Sequence, residues 1–146
     1  MTIRGAVLLI LLAGVAWGEQ KDDSLQKLIA KADAAPSTQQ AELCMQVAER
    51  ELKLTIESYK SNKSEEGQGS LQQVVNYADK AHSAAIHSGK KVKHTEIKLR
   101  QIAGHLRDLK FNVDADDQPL VQAAIDKLED FRTQLLKSMF GSHNNE

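Results

Sequence analysis

The chain has 146 residues, with 19 lysines and arginines against 20 aspartates and glutamates, one cysteine and 4% aromatic residues. This length allows one domain, and a net charge of −1 argues against a strongly basic nucleic-acid-binding protein. A single cysteine excludes a disulfide framework and any metal site that needs several cysteines, while 41% hydrophobic and 27% charged residues are typical of a folded globular domain.

The first eighteen residues have the three parts of a signal peptide. A start with Arg4 is followed by the apolar run Gly5–Val15, and Ala16-Trp17-Gly18 places small residues where a signal peptidase cleaves. The apolar stretch is shorter than the roughly 20 residues of a membrane-spanning helix, so we prefer a cleaved leader to an uncleaved membrane anchor. We expect cleavage after Gly18, export to the periplasm or the extracellular space, and no membrane span in the remaining chain.

The next two segments read as helices, because their apolar residues recur every three or four positions. Asp22–Ser24 can cap a short first helix, which should end at Ala35 since Pro36 disfavours helical geometry at the residue before it. Ser37-Thr38 offers a cap for the second helix, which should run to about Ser61. The inner stripe of the second helix consists of Cys44, Val47, Ala48, Leu52, Ile56 and Tyr59.

Residues 62–69 are polar and contain Gly67 and Gly69, so they predict a loop, with the third helix starting near Ser70. This helix should stop at Ser88-Gly89, because glycine suits the left-handed position after a helix end. Its apolar stripe consists of Leu71, Val74, Val75, Ala78, Ala81, His82, Ala85 and Ile86.

The last two helices are separated by an acidic turn. The fourth helix should span about Lys91–Lys110, and Asn112–Gln118 should form the turn. Pro119 fits the first turn of the fifth helix, where its missing N–H has no partner, and Gly141 ends that helix. Ser142–Glu146 is expected to be a flexible tail.

One short and four long helices predict an all-α fold. We expect a signal peptide at 1–18, a single helical domain at 19–141 and the tail at 142–146. Short connections favour antiparallel neighbours, so the first choice is an antiparallel bundle of four long helices with the short N-terminal helix alongside. The alternative is a stack of helical hairpins.

Two resemblances accompany this prediction. Tyr59, the Gly67-x-Gly69 turn and the run Val75-x-Tyr77-Ala78-x-x-Ala81 give helices two and three a likeness to a tetratricopeptide hairpin, without its Trp-x-x-Leu-Gly opening. The phrases Tyr77-Ala78-Asp79-Lys80-Ala81 and Ser88-Gly89-Lys90-Lys91 make the whole chain resemble exported bacterial helical proteins. That resemblance implies no assigned activity and transfers no catalytic residue.

A buried histidine is the first candidate for site chemistry. His82 lies on the apolar stripe of helix three, where it could be a metal or haem ligand or simply a buried side chain that is hydrogen-bonded to a neighbouring helix. No second ligand stands at i+3 or i+4, and His87 is on another face, so we favour the structural interpretation. Either Met45 or Met139 could complete a haem site with it, but Met139 lies on an apolar face, where core filling suits it better.

Three other features have simple structural explanations. Cys44 predicts a buried, inert thiol, with a disulfide between chains as the alternative. Asp114–Asp117 lacks the glycine and glutamate of a calcium-binding loop and should instead stabilise the start of helix five. The basic concentration from Lys90 to Arg100 should be a solvated face, although it could bind an anionic lipid, a polymer or an acidic partner.

No enzyme signature and no cofactor or metal site emerges from the sequence. The best interpretation is a non-enzymatic exported interaction or structural module that presents helix faces or a groove to a protein partner. The alternative is a periplasmic bundle that binds a ligand, a metal or haem. Homo-oligomers are also possible, through an apolar strip with Leu43, Leu54, Leu136 and Phe140 as candidates.

Overall fold

The structure is a computed structural model that describes residues 19–141, with the side chains of residues 23–141. The predicted leader and the predicted tail lie outside the described residues. Within them the chain is all-helical, as predicted, with a short N-terminal helix and four long ones. The helices are α1 (Glu19–Ala34), α2 (Ser37–Lys60), α3 (Ser64–Ser88), α4 (Val92–Lys110) and α5 (Gln118–Phe140).

The predicted caps of α1 and α2 are wrong. Helix α1 already begins at Glu19, so Asp22–Ser24 lies inside the helix. The N-cap of α2 is Pro36, which makes no side-chain cap hydrogen bond. Its extended backbone instead presents the main-chain carbonyl, which accepts from the main-chain N–H groups of Gln39 and Gln40 at 2.9 Å. The prediction that Pro36 ends the first helix is confirmed, but α1 ends at Ala34, one residue before the expected Ala35, because Pro36 keeps its preceding residue out of the helix.

The predicted loop at 62–69 is also wrong, because α3 starts at Ser64 and contains both glycines. Gly67 is buried against the Tyr59 ring of α2. A methyl group placed on Gly67 would lie 2.9 Å from Tyr59 Cε2, closer than carbon atoms pack. The glycine therefore serves a close approach of two helices rather than a turn, and the chain reverses within residues 61–63.

The remaining helix ends lie at or next to their predicted positions. Gly89 takes the left-handed conformation with φ +67° and donates its N–H to the Ala85 carbonyl at 2.9 Å, which ends α3. Lys91, two residues later, is also left-handed with φ +62°. Pro119 stands in the first turn of α5 as expected.

The bundle is assembled from two antiparallel hairpins, α2–α3 and α4–α5, that lie side by side. Helix α2 runs parallel to α4: Glu42 pairs with Lys91 at 3.6 Å, and Glu49 pairs with Lys98 at 3.0 Å. In both pairs the α4 residue lies 49 positions beyond its α2 partner. In this bundle α2 and α5 make no direct contact, so the arrangement has the connectivity of stacked hairpins.

Helices α3 and α5 pack in the same parallel register. Gln68 donates to the Asp117 carboxylate at 2.8 Å, and the rings of His82 and Phe131 stack with centroids 5.0 Å apart. These partners are again 49 residues apart, so the two hairpins are stacked without a shift along the helix axis.

Helix α1 completes the core as an antiparallel neighbour of α2. Arg50 donates to the Ser24 hydroxyl at 3.0 Å near the start of α1, and Lys80 of α3 binds Asp33 at 3.1 Å near its end. Leu25 and Ala32 of α1 belong to the single apolar core that all five helices share. Within residues 19–141, none of these helices has the length and apolar content needed to cross a bilayer.

Two arginines tie α4 to α5 through a chain of charges. The Glu96 carboxylate is almost fully buried and accepts from Arg132 Nε at 3.0 Å and Nη2 at 2.7 Å. Arg132 also binds Glu129, which binds Arg107 in turn. A buried carboxylate needs such a partner, because an uncompensated charge in the core is strongly unfavourable.

We expect Gly67→Ala to destabilise the fold by about 1–3 kcal/mol, because the added methyl group must displace the Tyr59 ring. Urea unfolding monitored by circular dichroism measures the change. Gly69→Ala is the matched control: it lies in the same helix with open space around it, and should stabilise by about 0.5–1 kcal/mol. Equal effects of the two substitutions would contradict the close approach.

Candidate binding groove and the predicted site residues

His82 is buried, as predicted, but it is not hydrogen-bonded to a neighbouring helix. Its ring stacks on Phe131 of α5 at an interplanar angle of 20°, and neither ring nitrogen has a hydrogen-bond partner among the described residues. The nearest carboxylate oxygen, of Asp79 on the same helix, is 3.6 Å from Nδ1. Aromatic stacking rather than hydrogen bonding holds this side chain between α3 and α5.

The methionines occupy different environments. Met45 is almost fully buried on α2, where it fills the core. Met139, for which core filling is predicted, is only half-buried near the end of α5 and lies outside the core. No group of three or more His, Cys, Asp and Glu side chains within residues 23–141 is arranged to hold a metal ion.

Cys44 is fully buried, which confirms the predicted buried thiol. Burial raises the pKa of the thiol to about 11, with a smaller lowering by Lys80 and a further small increase from Asp33. The thiol is therefore protonated at neutral pH and is a poor nucleophile. Its sulfur is not presented to a second chain, so a disulfide between intact copies has no geometric basis.

The acidic turn before α5 contacts the N-terminal part of α3 through Asp117. Asp117 occupies the N-cap position of α5 but makes no side-chain cap hydrogen bond. It is buried and accepts from Gln68 on α3, so it fastens the first turns of α3 and α5 to each other. Asp114 and Asp116 remain exposed.

The basic concentration divides into two groups. Lys91 and Lys98 reach across to glutamates of α2 and help to set the α2–α4 register. Lys90, Lys93 and Arg100 are exposed, and no described residue forms an ion pair with them.

An open groove runs between α2 and α4, which we call the α2–α4 groove. It consists of two adjoining cavities of about 340 and 360 Å³ that share Ile56 and His105. Along α4 it extends from Lys98 to Asn112, a length of about 21 Å. Its apolar floor is formed by Leu52, Ile56, Tyr59, Ile102 and Leu109.

The rim of the groove carries both signs of charge. Glu49, Lys53 and Lys98 stand at one end, and Lys60 and Asp108 at the other. An apolar floor with a mixed polar rim is a surface that an amphipathic helix can cover. Leu52, Ile56 and Tyr59 belong to the predicted inner stripe of α2, but the sequence does not predict the groove, because the groove exists only where two hairpins meet.

Tyr59 links the groove to the acidic turn. Its ring lines the groove and covers Gly67, and its hydroxyl is buried with no hydrogen-bond partner among the described residues. Burial, reinforced by the negative charge of Asp117, raises the pKa of Tyr59 to about 12. The phenol is therefore neutral over the physiological pH range.

Glu51 is a second buried carboxyl, and it lacks the partner that Glu96 has. Only 7% of the residue is exposed, and no described side chain binds its carboxyl group. Burial raises the pKa of Glu51 above its ordinary value. The burial of Glu51 is not predicted from the sequence, because a glutamate between two apolar stripe positions is usually solvated.

The raised pKa predicts that ionised Glu51 destabilises the fold. The folded state binds this proton more tightly than the unfolded state, so this group's contribution to stability is lost as pH rises through the folded-state pKa. Glu51→Gln should therefore be more stable than the unchanged chain at pH 7, and the advantage should shrink as pH falls through the raised folded-state pKa and be largely lost below 4.5. Urea unfolding at pH 4 and pH 7 measures it.

Glu57→Gln controls for the loss of one negative charge at an exposed position of the same helix. An advantage of Glu51→Gln that is independent of pH would contradict the assignment of a buried ionising carboxyl.

Comparison with known proteins finds no matching family model, no similar curated protein and no similar solved structure.

Proposed function

We propose that the chain is an exported, non-enzymatic interaction module that binds an amphipathic helix of a protein partner in the α2–α4 groove. The groove itself carries the proposal. It is long enough for about 14 helical residues, since a helix rises 1.5 Å per residue.

The chemistry of the groove supports a helix rather than a compact ligand. Its two cavities are open, and their floor is lined along α2 and α4 by Leu52, Ile56 and Ile102, of which Ile56 is the most exposed. Glu49 and Lys98 are already paired with each other, but Lys53, Lys60 and Asp108 on the rim form no ion pair within the described residues and can pair with charges at the edges of a bound helix. A partner that lays three or four apolar side chains along the floor would gain most of its affinity there.

The alternative, a carrier of a ligand, metal or haem, would depend on His82. That side chain stacks on Phe131 between α3 and α5 and does not line the α2–α4 groove. No observation on the described residues favours this alternative over the interaction module.

The groove can be tested with amphipathic 18-residue helical peptides, selected against the whole chain from a displayed library. We expect selected peptides to shift the backbone amide resonances of α2 and α4. Ile56→Lys, which places a charge on the floor, should weaken binding at least tenfold, or about 1.4 kcal/mol, as measured by fluorescence anisotropy.

Ala123→Lys introduces the same side chain on an exposed position of α5 and should leave affinity unchanged. Circular dichroism checks that both variants fold, and Gln101→Lys on the rim provides a milder test. Resonance shifts elsewhere, or selected peptides that bind Ile56→Lys as tightly as the unchanged chain, would refute the groove. Turnover that disappears with one polar substitution would refute a non-enzymatic role.

Export is tested by the first residue of the protein recovered from cells. We expect the chain to be found outside the cytoplasm and to start at Glu19, because the small residues of Ala16-Trp17-Gly18 suit signal peptidase. Trp17→Arg or Gly18→Arg should block processing, whereas Thr2→Ser should not. An intact chain that starts at Met1 in the cytosol would contradict export.

A further inference from the structure

The two ends of the bundle carry opposite charges. Hairpin stacking places the segments 35–41, 83–94 and 133–141 together, and we call them the basic end: they contain four lysines and no acidic residue. At the opposite end lie residues 60–67 and 108–120, the acidic end, which contain six acidic residues against three lysines. Their net charges are +4 and −3, and one lysine of the basic end, Lys91, is paired with Glu42, which directly follows the segment 35–41.

Most of these charges form no ion pair within the described residues. Lys90, Lys93 and Lys137 at the basic end are exposed and have no ion-pair partner in the described chain. At the acidic end, Asp114 and Asp116 are likewise exposed and unpaired. The ends are about 35 Å apart along α5, several times the screening length of about 8 Å at physiological salt. Each end therefore presents its own charge to a partner.

The exposed apolar side chains are concentrated at these same two ends. Within residues 23–141 the large exposed apolar residues are Ile86, Phe111, Leu120, Leu136 and Phe140. Three belong to the basic end, where Phe140 is 69% exposed, and two belong to the acidic end, where Phe111 is 83% exposed. Of the four residues expected from sequence to form an apolar strip, Leu43 and Leu54 instead pack against the core.

We propose that copies of this chain associate end to end, the basic end of one copy against the acidic end of the next. Opposite charges bring the ends together, and apolar side chains on both ends are covered in the contact. Such a head-to-tail contact does not close on itself, so it builds an open chain of copies.

A second copy accounts for more of the structure than an anionic membrane does. A membrane would match the basic end and leave Phe111 and Leu120 of the acidic end uncovered. A second copy covers both ends with one contact. The part of the α2–α4 groove near Glu49 and Lys98 lies on the side of the bundle and stays open in the assembled chain, whereas its other part, lined by Lys60 and Asp108, borders the acidic end.

The size of the ends predicts weak association. Helix axes lie about 10 Å apart, so an end of four helices offers roughly 400 Å² to its partner, below the about 800 Å² per partner of a standard stable interface. We expect association at high protein concentration that declines as salt rises from 20 to 500 mM. Sedimentation velocity and light scattering on the full chain measure it.

Three variants of matched size test the charges. The first reverses the basic end with Lys90→Glu, Lys93→Glu and Lys137→Glu. The second reverses the acidic end with Glu65→Lys, Asp114→Lys and Asp116→Lys. The control reverses three exposed charges on the sides of the bundle with Lys27→Glu, Arg100→Glu and Lys127→Glu.

Each end variant carries like charges at both ends and should be monomeric by itself. An equimolar mixture of the two should associate again, since each acidic copy then meets a basic one. The control variant should associate like the unchanged chain, and circular dichroism checks folding throughout. Phe140→Ser and Phe111→Ser should each weaken association, whereas Ile56→Lys in the groove should leave it unchanged, which separates this contact from helix binding.

Four results would overturn the proposal. One is an unchanged chain that stays monomeric at 20 mM salt. The second is an equimolar mixture that stays monomeric, and the third is a control variant that fails to associate. The fourth is a monomer whose binding to vesicles of phosphatidylglycerol and phosphatidylcholine depends on Lys90 and Lys93, since the basic end would then serve a membrane.

Discussion

The in-register stacking of one helical hairpin on another is the constraint from which the other features of this molecule follow. Partners 49 residues apart meet along both α2–α4 and α3–α5, so the hairpins lie level with each other. Level hairpins bring all connections to two flat ends and leave α2 and α4 facing each other across an open groove. A shift of one helical turn, about 5.4 Å, would bring Glu49 and Lys98 out of pairing distance.

The two hairpins also repeat a burial pattern, although their sequences differ. Buried positions of α2 recur about 51 residues later in α4, as Ala48 and Leu99 show, and those of α3 recur about 50 residues later in α5, as Ala78 and Leu128 show. The corresponding residues differ in size in both directions, since Ala48 matches Leu99 whereas Leu52 matches Ala103. The repeat is one of shape and spacing, which is why reading the sequence for similar residues does not find it.

Most of the fold could be predicted from the sequence, because apolar spacing, Pro36, Gly89 and Pro119 act through local geometry. The errors arose where the same residue types serve long-range packing. Gly67 has the composition of a loop, but its missing side chain accommodates the Tyr59 ring of another helix. No local pattern distinguishes these two uses of glycine.

The candidate site was harder to predict for a related reason. Leu52 and Ile102 sit on inner stripes in either a closed bundle or a stack of hairpins, and only the stacking leaves a groove beside them. The unpartnered Glu51 and the partnered Glu96 also look alike in sequence. What separates them is Arg132, a residue that lies 36 positions beyond Glu96 and on a different helix.

Alkylation of Cys44 can report transient opening of the folded chain. The Cys44 thiol is fully buried and its pKa is raised to about 11. An alkylating reagent therefore cannot react with it while the helices stay packed. A permanent label can be acquired only during the moments when α2 parts from its neighbours. The rate at which label accumulates at low reagent thus counts openings that leave no trace in the average structure.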